Sequence, residues 1–179
     1  LFAGGISSDT RGVFGGGYTS TEVNVMDYIT IATTGNATDF GDLSVARRNF
    51  AGLSSDTRGV FGGGYVGSDS NVMDYITIAT TGNATDFGDL TVSKRDVAAL
   101  ASSTRGVFAS DSSDSNVMEY ITIDTTGNAT DFGDLTVGRA SSSGVSSATR
   151  GVFGGGHDSA NSNIMDYITI DTTGNATDF

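Results

Sequence analysis

The sequence predicts an all-β protein built from repeated four-stranded units, because two phrases recur along its 179 residues at a nearly constant spacing of 45 to 47 residues. A fixed period of this size is typical of repeat architectures, in which each unit packs against its neighbours because it is too small to fold alone. The composition of 26 Gly, no Pro and no Cys, with many β-branched residues, favours short strands and tight turns over helices. The phrase TRGVF begins at Thr10, Thr57, Thr104 and Thr149, and TTGNATDF begins at Thr33, Thr80, Thr125 and Thr172.

The second repeat shows how one unit divides into four predicted strands. Residues 50–55 (FAGLSS) and 58–64 (RGVFGGG) flank a short turn, and a variable loop leads to residues 71–79 (NVMDYITIA). This third segment alternates two sets of side chains, as a pleated strand does. After a turn rich in Gly and Asn, residues 85–92 (TDFGDLTV) supply the fourth strand.

Four antiparallel strands in about 45 residues predict one blade of a β-propeller. We expect a single repeat domain with blades at approximately residues 1–42, 43–89, 90–134 and 135–179. Four blades are the lower limit for ring closure, so the chain forms either a four-bladed ring or part of a larger propeller. An open stack of β-units in a fibre is the alternative architecture.

The repeat resembles a kelch repeat. A double glycine ends the second strand in GVFGGG, an aliphatic and aromatic strand follows in NVMDYITI, and an aromatic residue opens the fourth strand. The wording TTGNATDFGDLTV is also similar to kelch-like repeats in structural and tail-fibre proteins of marine bacteriophages, especially those that infect cyanobacteria. This resemblance implies a virion or extracellular location. The aromatic residues of the fourth strands, to which we assign a structural role, are Phe40, Phe87, Phe132 and Phe179.

The formal charge of −12 argues against a nucleic-acid partner, because phosphate binding needs clustered Lys and Arg. No segment of about 18 apolar residues is present, so we expect no membrane insertion. No cofactor is predicted, although carboxylate oxygens leave Ca²⁺ binding open. Asp39 and Asp42 recur in later repeats but lack the dense spacing of a calcium loop, so turn capping is the favoured role.

Because consecutive strands of a unit run in opposite directions, we expect the loops between second and third strands to share one face with the connections between units. These segments vary among repeats, and their Tyr, Asp, Asn and Arg side chains suit sugars or polar protein epitopes. Drift in unconstrained loops explains the same variation, and both interpretations stay open. The candidate binding residues are Tyr18, Glu22, Arg47, Arg48, Tyr65, Asp69, Lys94, Arg95, Asp111, Asp114, Arg139, His157, Asp158 and Asn161.

The arginine of each TRGVF phrase is predicted to be structural and to pair with a carboxylate of its own register, because guanidinium and carboxylate groups form well-defined ion pairs. These arginines are Arg11, Arg58, Arg105 and Arg150. The available carboxylates are Asp27, Asp74, Glu119 and Asp166, or Asp39, Asp86, Asp131 and Asp178.

No catalytic or metal-binding residues are predicted, because His157 is the only histidine and the other charged groups recur from repeat to repeat. The sequence therefore favours a non-enzymatic adhesion or receptor-binding module that recognises a host-surface glycan or protein. A purely structural virion scaffold that contacts other virion proteins is the alternative, and a propeller glycosidase or oxidase is a remote one. Association into oligomers remains open.

Overall fold

The computed structural model describes residues 3–179, which form strands and turns without a helix and so confirm the all-β prediction. No helix that could cross a membrane occurs within this range. The first sheet contains β1 (Gly4–Ser7), β2 (Arg11–Gly15), β3 (Val25–Thr30) and β4 (Thr38–Asp42), and the second contains β5 (Ala51–Ser54), β6 (Arg58–Gly62), β7 (Ser70–Thr77) and β8 (Thr85–Lys94). The third contains β9 (Ala98–Ala101), β10 (Arg105–Ala109), β11 (Val117–Thr122) and β12 (Thr130–Asp134), and the fourth contains β13 (Ser143–Ser146), β14 (Arg150–Gly154), β15 (Met165–Thr169) and β16 (Thr177–Asp178).

Each sheet is an antiparallel meander in which neighbouring strands follow one another in the sequence. The first strands of consecutive sheets lie side by side, β1 against β5, β5 against β9 and β9 against β13. Four such sheets packed in chain order form the blades of a propeller-like fold, as the repeat period predicts. The main difference from the predicted strands is β8, which continues to Lys94 and pairs there with Ser70.

A β-bulge in the fourth strand places its aromatic residue in the core. Met26 pairs with Gly41 and Asp27 with Asp39, so Phe40 is the extra residue between them. Gly41 has a φ of 138°, a backbone conformation that glycine adopts readily. The ring of Phe40 packs edge-on against Tyr28 with 6.0 Å between centroids.

The core lies between consecutive sheets and is built by a side chain of one sheet entering a glycine position of the next. Leu53 of the second sheet lies against Gly106 of the third, where an added Cβ would be 2.5 Å from the Leu53 Cδ1 atom. Leu100 meets Gly151 in the same way, also at 2.5 Å. In the third and fourth sheets, the glycine of TRGVF is therefore a packing requirement of the interface between sheets.

The outer faces of the first and fourth sheets do not cover each other. Phe14 of the first sheet is 52% exposed, whereas its counterparts in the other three sheets are fully buried. On the fourth sheet Val145 is 67% exposed and Phe179 is 65% exposed. Within residues 3–179, the structure is therefore a run of four blades with an exposed apolar face on the first sheet and another on the fourth.

Candidate functional site

In the second, third and fourth sheets, the loop after the second strand lies beside the connection that leads into that sheet. Arg48 and Tyr65 exchange two backbone hydrogen bonds. The Arg48 N–H donates to the Tyr65 carbonyl at 3.2 Å, and the Tyr65 N–H donates to the Arg48 carbonyl at 2.8 Å. Ala140 and His157 form the matching pair, with both bonds at 2.9 Å. The variable loops and the connections thus share one edge of the sheets, as the strand topology predicts.

Along this edge, two tyrosines and two arginines alternate. The guanidinium carbon of Arg48 is 4.6 Å from the ring centroid of Tyr18 and 4.9 Å from that of Tyr65. The guanidinium carbon of Arg95 is 5.3 Å from the same Tyr65 ring centroid. Cations at these distances are attracted to the ring face by about 0.5–1 kcal/mol at exposed sites. We call Tyr18, Arg48, Tyr65 and Arg95 the Tyr–Arg ladder.

Two carboxylates hold the arginines of the ladder in place. Glu22 Oε1 lies 3.5 Å from the Nε atom of Arg48, and Asp69 Oδ1 lies 2.6 Å from an Nη1 atom of Arg95. The arginine side chains keep 31% and 39% of their surface exposed, and Tyr18 keeps 42%. The ladder therefore offers aromatic faces together with hydrogen-bond donors and acceptors at the surface, a combination that suits a sugar or a polar peptide.

The ladder does not continue into the third and fourth sheets. Ser112 occupies the tyrosine position of the third sheet, where its backbone nitrogen donates to the Arg95 carbonyl at 3.0 Å. Asp111 is buried and accepts hydrogen bonds from Ser113, so it orders its own loop. Asp114 is exposed in the same loop. In the fourth sheet His157 and Asn161 are exposed at the edge, with Asp158 half-buried beside them.

Besides the buried Asp111, three basic residues among the predicted binding residues do not reach this surface. Arg47, Lys94 and Arg139 are at most 1% exposed, so the expectation that they bind a ligand is wrong. Each instead pairs with a buried carboxylate of the following sheet. The pairs are Arg47 with Asp74 at 2.7 Å, Lys94 with Glu119 at 2.6 Å and Arg139 with Asp166 at 2.7 Å.

The Arg47 pair anchors the connection from which the ladder projects. The Arg47 guanidinium also donates to the carbonyl oxygens of Phe61 at 3.2 Å and Val72 at 2.7 Å. The Ser44 hydroxyl donates to the Asp74 carboxylate. Burial lowers the pKa of Arg47 from its usual value, and the Asp74 carboxylate acts in the opposite direction. Because Arg48 is the next residue, this buried network fixes the backbone position of the ladder's first arginine.

Sequence reasoning missed these pairs, although the repeats contain a signal for them. Where the cation is the shorter Lys94, the carboxylate is the longer Glu119, whereas the two arginines face aspartates. The combined reach is therefore similar in all three pairs. A shorter basic side chain matched by a longer acidic one in the same repeat is the sequence signal that relates the two positions.

Shortening one partner of the lysine pair should destabilise the protein. We expect Glu119→Asp to lower the free energy of unfolding by about 1–3 kcal/mol, because it leaves both buried charges poorly paired. Adding Lys94→Arg should recover most of that loss by restoring the reach seen in the other two pairs. Urea unfolding of the two single variants and the double variant measures the coupling, and strictly additive losses would contradict it.

The arginines of TRGVF contact tyrosine rings, and the prediction that they pair with carboxylates is wrong. No carboxylate lies within 4.0 Å of them among residues 3–179. Arg58 instead lies 4.5 Å from the Tyr75 ring centroid and donates to the Ile123 carbonyl of the next sheet at 3.1 Å. The equivalent ring contacts are Arg11 on Tyr28 at 4.3 Å, Arg105 on Tyr120 at 4.5 Å and Arg150 on Tyr167 at 4.8 Å.

The TTGN turn of each later sheet docks on the fourth strand of the sheet before it. Gly82 donates its backbone N–H to the Phe40 carbonyl at 2.7 Å, and the Asn83 side chain accepts from the Asp42 nitrogen at 3.1 Å. Beside each such turn lies a shallow cleft lined by Tyr, Thr, Gly and Asn, with a volume of about 320 Å³ in the second sheet. Within the described residues no three His, Cys, Asp or Glu side chains are grouped as metal ligands would be.

No family model matches the chain, and no curated protein matches it. The class that the structure itself defines is an all-β, propeller-like repeat protein with four antiparallel four-stranded sheets.

Proposed function

We propose that the chain is a non-enzymatic recognition module that binds a host-surface glycan or protein through the edge carrying the Tyr–Arg ladder. The observation that carries the proposal is the alternation of Tyr18, Arg48, Tyr65 and Arg95 along the edge of the first two sheets and the connection to the third. Aromatic rings can stack on the apolar face of a sugar, while the arginines and their carboxylate partners can hydrogen-bond its hydroxyl groups.

The chemistry of the ladder supports binding rather than catalysis. Its arginines are engaged by Glu22 and Asp69, so the charges on this edge are arranged in neutralising pairs. A surface of this kind recognises polar groups by direction and shape, in the way that binding loops rich in tyrosine do. A rigid base of packed strands under the loops reduces the entropy lost on binding.

The resemblance to kelch-like repeats of phage structural and tail-fibre proteins supports a virion or extracellular location for this module. A host-surface carbohydrate is then the favoured ligand, and other virion proteins are further partners. A purely structural scaffold is the second candidate. It is favoured by the open apolar faces of the first and fourth sheets, which suit permanent packing more than reversible recognition.

A glycan array probed with the labelled chain tests the proposal. We expect retention on a restricted group of glycans, and retention should be weakened little by salt because the arginines are already paired. Absence of retention on the array, combined with stable copurification of the chain with other particle proteins, would instead support the scaffold role. Turnover of sialosides or primary alcohols by the chain would contradict both proposals.

A further inference from the structure

The outer face of the first sheet is the receiving half of an interface that occurs three times within this chain. Gly12 is the counterpart of Gly106 and Gly151, which receive the side chains of Leu53 and Leu100. The nearest atoms to an added Cβ at Gly12 belong to its own sheet, Ile29 at 3.4 Å and Phe14 at 3.8 Å. The glycine position of the first sheet is therefore unfilled within residues 3–179.

The same face also lacks a charge that its counterparts have. Asp74, Glu119 and Asp166 are fully buried, and each pairs with a basic side chain from the preceding connection. Asp27 occupies the equivalent position, but it is exposed and no cation of the described chain lies within 4.0 Å of it. The face thus presents an apolar hole, the Phe14 ring and one unpaired carboxylate.

We propose that the outer face of the first sheet docks a further four-stranded sheet of this same repeat, one that brings an aliphatic side chain to Gly12 and a basic side chain to Asp27. Three interfaces within the chain show both contacts together, so the partner is defined by its chemistry. This contact lies apart from the Tyr–Arg ladder and does not depend on what the ladder binds.

An unaltered second copy of the chain supplies only half of this chemistry. Its fourth sheet exposes Val145, Met165 and Phe179, which match the apolar half of the interface. The only Arg or Lys in residues 143–179 is Arg150, whose guanidinium lies over the Tyr167 ring. A second copy would therefore cover Asp27 without pairing it, which is costly for a buried carboxylate.

An extended chain tests the proposal directly. The ten residues GDLTVGRASS, which follow the TDF phrase in the third repeat as Gly133–Ser142, are appended after Phe179. The appended segment gives the fourth sheet copies of Leu135 and Arg139. Sedimentation velocity should show the extended chain associating head to tail at a concentration at least about tenfold lower than the 179-residue chain.

Two matched variants isolate the charge. In the extended chain, Asp27→Asn should return association to the level of the 179-residue chain, and so should replacement of the appended arginine by glutamine. Asp27 is exposed, so its substitution should leave the circular dichroism spectrum and melting temperature unchanged. Closed rings and open filaments both support head-to-tail docking. An extended chain that stays monomeric, or that associates equally well with the appended glutamine, would overturn the proposal.

Discussion

Replacing Asp74 by alanine should lower the free energy of unfolding by about 3–5 kcal/mol, because it leaves the Arg47 guanidinium buried without its counter-ion. Both side chains are fully buried, and the ion pair at 2.7 Å joins two consecutive sheets. The loss should appear as a lower urea midpoint measured by circular dichroism. It should also displace the neighbouring Arg48, and therefore weaken any ligand bound at the ladder.

The matched control is Asp69→Ala, which removes the carboxylate of a surface pair. Asp69 lies 2.6 Å from Arg95, but both side chains are about one third exposed. Exposed pairs contribute little, so this variant should lose less than about 1 kcal/mol. Equal losses in the two variants would show that the buried pairs are not the ties between sheets that the structure describes.

Introducing a larger side chain at Gly106 should destabilise the protein by about 1–3 kcal/mol. In Gly106→Val the new Cβ would lie 2.5 Å from both terminal carbons of Leu53, so the second and third sheets must separate or Leu53 must leave its position. Combining it with Leu53→Ala should recover part of the loss, because the removed volume accommodates the valine. Thermal melting of the single and double variants measures both effects.

Gly12→Val is the control, because it changes the same residue of the same phrase on the open face. The nearest atom to an added Cβ there is the Cγ1 atom of Ile29 at 3.4 Å, within the same sheet. We expect a change of less than about 1 kcal/mol, since valine suits a strand better than glycine does. A loss as large as that of Gly106→Val would mean that the first sheet is not open as described.

The strands could be predicted from the sequence because their determinants are local. Alternation in NVMDYITI, glycine at the turns and a fixed period are sufficient to place four strands in each unit. The bulge at Phe40 and the extension of β8 to Lys94 could not, since they depend on pairing with particular residues of the neighbouring strand. That the variable loops and the connections lie at one edge of the sheets could be predicted from strand direction alone.

The interfaces between sheets were harder to predict because their partners lie in different repeats. Arg47 meets Asp74 only after two sheets have packed, and no local pattern distinguishes it from Arg48, which stays at the surface. Arg58 was likewise predicted to pair with a carboxylate, but its guanidinium lies over the Tyr75 ring of the same sheet. Arginine stacks on aromatic rings as well as pairing with carboxylates, so charge alone does not identify its partner.

The central claim is that the variable edge recognises a ligand while the TTGN edge builds the fold. It is tested most directly by the affinity of a glycan retained on the array, measured by isothermal titration for Tyr65→Ala and for Thr81→Ala. Tyr65 belongs to the ladder, whereas Thr81 lines the cleft beside the TTGN turn of the same sheet. Tyr65→Ala should weaken binding about three- to tenfold through loss of a stacking ring, and Thr81→Ala should leave the affinity unchanged. Weaker binding by Thr81→Ala with full binding by Tyr65→Ala would contradict the account.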